Sequence, residues 1–282
     1  MNFPESIRIN VAVYVDWIVR WLKVNCGAFF DAMSSGVLQT IIKLEAFLFW
    51  VPWWLFILAI FILSWRLKNL KSALIYSVML VLIGSFGLWN SMLQTLAIVL
   101  ISVVISVLLG IPLGILMAYS DRFSNIMRPL LDGMQTMPSY VYLIPAMIFF
   151  KIGKVPAVFA AIIYAIPPIV RLTDLGIRGV PKEMLEAAHS FGSSNWQTLT
   201  KVQLPQAFPT IMAGINQTTM MALAMVVIAS LVGARGLGLD VLQAIQRINI
   251  GKGFEAGISI VFLAIIIDRL TQSVSERFKY PE

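Results

Sequence analysis

Hydrophobic positions along this chain fall in long unbroken runs, not in the period-two alternation of a half-buried strand. Residues 46–65, 72–120 and 202–234 carry no charge, in runs of twenty, forty-nine and thirty-three residues. A helix crossing a bilayer needs about 20 apolar residues, so 72–120 holds two crossings. Shorter runs at 133–150 and 155–170, and one between Glu255 and Asp268, add three more. The pattern predicts an all-α polytopic membrane protein of about seven transmembrane helices.

The runs differ in kind. The first, 46–65, is crowded with Trp and Phe and short of small residues, which predicts a lipid-facing brace. The middle runs hold Gly110, Pro112, Gly114, Pro138, Pro145, Pro167 and Pro168. Proline kinks a helix by removing a backbone bond, and small residues let helices approach closely, so these runs predict the packed, moving part. Ahead of the brace, Val11, Val15, Ile18 and Leu22 repeat at helical spacing, with Asp16, Arg20 and Lys23 opposite and Trp17 and Trp21 flanking. That stretch, within a tail of 8–42, reads as an amphipathic helix in the membrane interface. No internal repeat emerges, which counts against a transporter built from inverted repeats.

Composition agrees. Of 282 residues, 59% are hydrophobic and 12% charged, about half the charged share of a soluble domain. The single cysteine, Cys26, forms no intrachain disulfide and reads as a small apolar filler. The N-terminal segment does not have the make-up of a signal peptide. A net charge of +7 in so apolar a chain points to cytoplasmic loop bias and not to nucleic acid. Placing the basic connection 66–71 in the cytoplasm puts twelve Lys and Arg on that side and five outside. This predicts an external N-terminus and a cytoplasmic C-terminus.

The longest polar connection, 171–203, separates the fifth and sixth runs. Pro181 suits a helix start, Lys182 to Phe191 continue it, and Gly192 suits a left-handed C-terminal cap. Ser194 and Gln197 match a capping box for a second helix, expected to run to about Gln203 and to stop at Pro205. The product is a helical hairpin whose Glu186, Ala187 and Ala188 present a face open to close packing.

Glu186, Ala187, Ala188, then Gly192, Val202, Leu204 and Pro205 at their spacing resemble the signature of permease subunits of ABC importers, with Val where Ile is usual. The resemblance spans about 89–270 and implies the type I importer fold of methionine-permease-like proteins, in a bacterial cytoplasmic membrane. It implies a tail at 1–45, bracing spans at 46–90, a core domain at 91–270 with a coupling loop at 171–208, and a cytoplasmic tail at 271–282. It also implies that the hairpin docks on an ATP-binding subunit. Two such ATPases would carry ATP and Mg, with the permease itself a homodimer, and no cofactor belongs to this chain. Residues 134–156 and the stretches from Gly214 and Phe254 look like quaternary amine (glycine betaine/proline betaine) uptake permeases, which serve osmoprotection. Members often carry a fused binding domain after the last span; this sequence stops at Glu282, so a separate binding lipoprotein is expected.

Remaining candidates carry less. His189 has no second His or Cys nearby and reads as a surface contact, not a metal ligand or base. Asp132, Asp174, Asp240 and Glu255 read as solvated or paired acids near span ends, and Asp268 and Arg269 as a pair closing the last span. Gly233, Gly236 and Gly238 lack the Lys-Ser/Thr of a phosphate loop, so ATP hydrolysis falls to another subunit. Leu239, Leu242 and Ile245 mark an outer amphipathic segment, either packing or meeting a binding protein. Tyr140, Tyr142, Phe149 and Tyr164 are pathway candidates, because aromatic faces attract quaternary ammonium; packing is their alternative role. Two rival readings are a permease for another small solute such as methionine, and an ion-coupled secondary transporter. The latter calls for intramembrane ionisable pairs, which the sequence does not display.

Overall fold

The computed structural model describes residues 10–277. The first nine residues of the predicted tail and the last five of the predicted cytoplasmic tail, Lys279 among them, lie outside the described residues. Every regular element within that range is helical. Thirteen α-helices follow in order: α1 Val11–Asn25, α2 Gly27–Trp50, α3 Trp53–Leu67, α4 Leu70–Ser85, α5 Trp89–Tyr119, α6 Asp121–Thr136, α7 Leu143–Phe150, α8 Lys154–Arg178, α9 Lys182–Ser190, α10 Asn195–Thr198, α11 Leu204–Ile228, α12 Leu237–Gln246 and α13 Ile250–Arg277. Five are long and apolar enough to cross a membrane: α2, α5, α8, the 195–232 helix containing α11, and α13. Three further apolar helices are shorter: α3, α4 and Ser139–Phe150.

Helix α8 is the centre, packed between α5 and α11 with glycine at both seams. A β-carbon on Gly114 of α5 would lie 2.5 Å from Thr173 Cβ and 2.7 Å from the Val170 carbonyl of α8. On the other side Gly176 of α8 sits against Ala207 and Thr210 of α11, and Gly214 of α11 against Ile169 and Leu172 of α8. Pro112, Pro167, Pro168 and Pro209 lie inside these three helices. Pro167 and Pro168 are buried between the neighbouring helices, which tolerate such interruptions, whereas Pro112 lies on the exposed side of α5. α3 and α4 form a hairpin at the edge, against α13. α3 buries only Ser64, leaving Trp53, Trp54 and Trp65 outward, as expected of a brace.

Three expectations change. The expected first span at 46–65 is divided: α2 stops at Trp50, Val51 is extended, and α3 begins after Pro52. The residue before a proline is driven out of the α region, so the break follows from Pro52 itself. The amphipathic stretch of the predicted tail is α1, while the rest of the tail from Gly27 onward belongs to α2, a 24-residue helix that runs on into the expected first span. Glu45, within this helix, is buried and paired with Lys154, the first residue of α8, at 2.5 Å. The expected span at 133–150 is also divided, at Met137–Pro138, between α6 and a helix over Ser139–Phe150.

Candidate functional site: the interhelical hairpin and its footing

The hairpin at 181–205 forms from local chemistry. Pro181 precedes α9 in extended conformation, fitting its fixed φ. At the other end Gly192 takes φ +78°. Its N–H donates to the His189 carbonyl at 2.9 Å, and the Ser193 N–H donates to Ala188 at 3.1 Å. These two bonds are those of a Schellman motif. The capping box is present: Ser194 Oγ accepts from the Gln197 N–H at 3.3 Å, and Gln197 Oε1 accepts from the Ser194 N–H at 2.9 Å.

Pro205 does not stop the second helix. α10 passes through one π turn, Leu199–Gln203, straight into α11, with Pro205 in the first turn of the new helix. Proline clashes with the preceding turn inside a regular helix but suits a helix start. The wide turn lets the chain restart there without breaking. Leu204 and Pro205 are thus half-buried at the root of α11.

Glu186 and Ala187 are exposed along α9, with Ala188 half-buried behind them. His189 is exposed, and its Nδ1 lies 3.3 Å from the Ser193 carbonyl. Sequence reasoning missed the apolar part of this surface. Phe191 is 91% and Trp196 72% exposed, with Met184 also exposed, on a largely polar hairpin. Large apolar side chains so placed mark an interaction surface; counting Phe191 merely as the last helical residue hid its exposure.

The footing was also missed. Arg178, the last residue of α8, donates to Asp174 at 2.7 Å, to Asp121 of α6 at 2.7 Å and to the Met117 carbonyl of α5 at 2.5 Å. Arg128 reaches Asp174 at 3.4 Å, and Arg171 pairs with Asp132. Arg128, Asp132, Arg171, Asp174 and Arg178 line a cavity of about 310 Å³ between α6 and α8. Tyr119, ending α5, donates its hydroxyl to Gln203 Oε1 in the π turn. Only the Asp174–Arg178 spacing of four was a sequence signal.

The aromatic candidates separate. Tyr142 is buried beside Tyr164, ring centroids 6.2 Å apart, with its hydroxyl donating to the Met134 carbonyl at 2.5 Å. Phe149 instead stacks on Phe30 of α2 at 4.4 Å, and Tyr140 is exposed. Of the acids, Asp132 and Asp174 are paired as expected. Asp268 accepts from Asn216 of α11 at 2.8 Å and approaches Arg269 at 3.7 Å, but α13 continues past both to Arg277. Asp240 and Glu255 line a polar cavity of about 270 Å³ between the α4–α5 turn and α12–α13. The Glu45–Lys154 pair is an ionisable pair that the sequence did not display.

A polytopic helical core whose polar hairpin offers exposed apolar side chains, rooted by ion pairs in three packed helices, defines a membrane component that works through a partner. Residues 110–280 match the family of binding-protein-dependent transport system inner membrane components, and the chain belongs to that family. It is a multi-pass transport component of the cytoplasmic membrane. The glycine betaine transport system permease protein OpuAB of Bacillus subtilis is 45% identical, covering 96% of each chain. The glycine betaine/carnitine transport permease protein GbuB of Listeria monocytogenes is 48% identical over 98% of this chain and 99% of its own. ProW of Escherichia coli, a glycine betaine/proline betaine permease protein, is 44% identical over 92% of this chain and 72% of its own. An inward-facing MetNI methionine ABC transporter chain superposes with a TM-score of 0.64 at 20% identity, covering 68% of this chain and 96% of that one. It shares the fold.

Proposed function

We propose that this chain is the permease subunit of an ATP-driven importer for glycine betaine or a related quaternary amine, and that it serves osmoprotection. The observation that carries this reading is similarity to glycine betaine permeases over nearly the whole chain. A methionine permease shares the fold but only about a fifth of the aligned residues. The partners are two ATPase subunits, which bind ATP and Mg, and a substrate-binding lipoprotein. The exposed hairpin with Glu186, Ala187, Phe191 and Trp196 supports docking of the ATPases. The paired aromatics Tyr142 and Tyr164 support a weak ammonium contact along the path by cation–π attraction.

A homodimer fits the outward stripe Ala213, Gln217, Met220 and Ala224 on α11. Polar Gln217 in the middle of that apolar helix is costly against lipid and suits a second copy or the path. The exposed apolar stripe of α1 supports contact with lipid headgroups. The basic-residue asymmetry supports a cytoplasmic hairpin and C-terminus, with the N-terminus outside. An Asn10→Cys variant, with Cys26 replaced, should label from outside; protection until permeabilisation means that α2 crosses.

The test of function is uptake by proteoliposomes holding permease, ATPase and binding protein. Labelled glycine betaine should accumulate only with ATP and the binding protein. Accumulation driven by a proton or sodium gradient without ATP refutes the reading, and transport of methionine with indifference to betaine refutes the solute.

A further inference from the structure

The hairpin joins α8 to α11, yet both of its roots also hold α5. On the entry side Arg178 donates to the Met117 carbonyl. On the exit side Gln203 accepts from Tyr119, two residues further along the same turn of α5. Buried Gln203 lies in the single π turn of the chain's described residues, a geometry that recurs at functional sites because one extra residue disturbs the helical ladder. Glycines at 110 and 114 keep α5 against α8, so α5 has little freedom to slide past its neighbour.

At its far end α5 is fastened again. Thr95 Oγ1 is buried and accepts the N–H of Leu237, the first residue of α12, at 2.9 Å. The chain passes so close there that a β-carbon on Gly236 would lie 2.5 Å from that oxygen. One 31-residue helix, about 46 Å long at 1.5 Å per residue, therefore links the hairpin's two roots to the segment leading into α12.

We propose that Arg178 and Gln203 are positioning residues that fasten the hairpin to the last turn of α5, so that α5 carries hairpin displacement across the membrane to α12. The inference rests on the coupling role of the hairpin stated above. Displacement of the hairpin then moves α5, α8 and α11 as one body at their inner ends. α12, which lines the outer polar cavity, receives the motion through Thr95.

The test uses the whole complex of permease and ATPase in liposomes. Spin labels are placed at Leu108→Cys on α5 and Val261→Cys on α13, both exposed, with Cys26 replaced. Adding ATP with vanadate should change the distance between them. Tyr119→Phe removes one hydroxyl and keeps the ring; Arg178→Lys keeps the charge and loses the forked geometry. Each should shrink the ATP-dependent change, normalised to captured ATPase, and lower solute moved per ATP, Tyr119→Phe by about fivefold, the effect of one neutral hydrogen bond, and Arg178→Lys by at least as much, because its bonds are to charged groups. Three results overturn the inference: no ATP-dependent change in the labelled parent, an unaltered change and unaltered solute per ATP in Tyr119→Phe, or a uniform loss of ATPase capture and transport with their ratio preserved. If Arg178→Lys does not insert, Tyr119→Phe decides alone. Betaine uptake by the unsubstituted complex separately tests the proposed function, and the distance change does not depend on the solute.

Discussion

Replacing Gly192 isolates the hairpin's turn from everything around it. A β-carbon there meets nothing within 4 Å, so no side chain or backbone is displaced. What remains is the backbone conformation, φ +78°, which costs an L-residue about 1–2 kcal/mol. That is a factor of about 5–30 in the population of the turn. Valine, being β-branched and stiff at χ1, belongs at or beyond the upper end, and asparagine, which tolerates the left-handed region, near the lower. The turn is exposed and remote from the α5–α8–α11 seams, so insertion should be unchanged for both. ATPase capture and ATP-driven uptake should fall in the order Gly, Asn, Val, with Val lowest by roughly thirtyfold relative to Gly. The assay is uptake at matched permease in liposomes, alongside the ATPase retained on purification. Full uptake by Gly192→Val refutes the argument, and so does equal loss in Gly192→Asn and Gly192→Val.

Phe191→Ala and Trp196→Ala should weaken ATPase retention, each by about 1 kcal/mol or more if they are central anchors, without altering insertion; unchanged retention in the double variant contradicts the docking face. Gly114→Leu should prevent accumulation of folded permease, since Thr173 and the Val170 carbonyl occupy the space; a thermal-shift measurement at parent stability contradicts the α5–α8 seam. Glu45→Gln should destabilise by about 3–5 kcal/mol by leaving Lys154 uncompensated, and adding Lys154→Met should recover most of it; no recovery in thermal unfolding contradicts the pair. An impermeant thiol reagent should reach Asn249→Cys in intact cells and Ser193→Cys only after permeabilisation; labelling of both from outside contradicts the orientation.

What the sequence made legible was local. Pro181, Gly192 and the Ser194–Gln197 box each act within five residues; Gly192 and the box stand where expected, and Pro181 stands one residue ahead of the helix it was expected to open. Length and charge-free runs revealed the long helices, because backbone groups in lipid must be satisfied within a helix. The misreadings share one cause, which is that residues were weighed singly. The first charge-free run was begun after Glu45, but Glu45 lies inside α2 and its partner Lys154 is 109 residues away. Pro205 alone argued for a helix end, but the π turn before it absorbs the proline. Tyr119 and Gln203 lie 84 residues apart, and no periodicity links them. The aromatic candidates had equal standing in sequence; packing brought Tyr142 and Tyr164 together, gave Phe149 to α2, and left Tyr140 outward.

The central claim is that a signal crosses from the outer face of this chain to ATPases on its hairpin. It is tested most directly by trapping ATP inside proteoliposomes that hold the permease and its ATPase, then adding binding protein outside. Betaine-loaded binding protein should raise ATP hydrolysis inside the vesicle, while empty binding protein or betaine alone should raise it far less. The rise should be lost in Gly192→Val at equal protein. Hydrolysis indifferent to the loaded binding protein, or equally stimulated in Gly192→Val, would contradict the account.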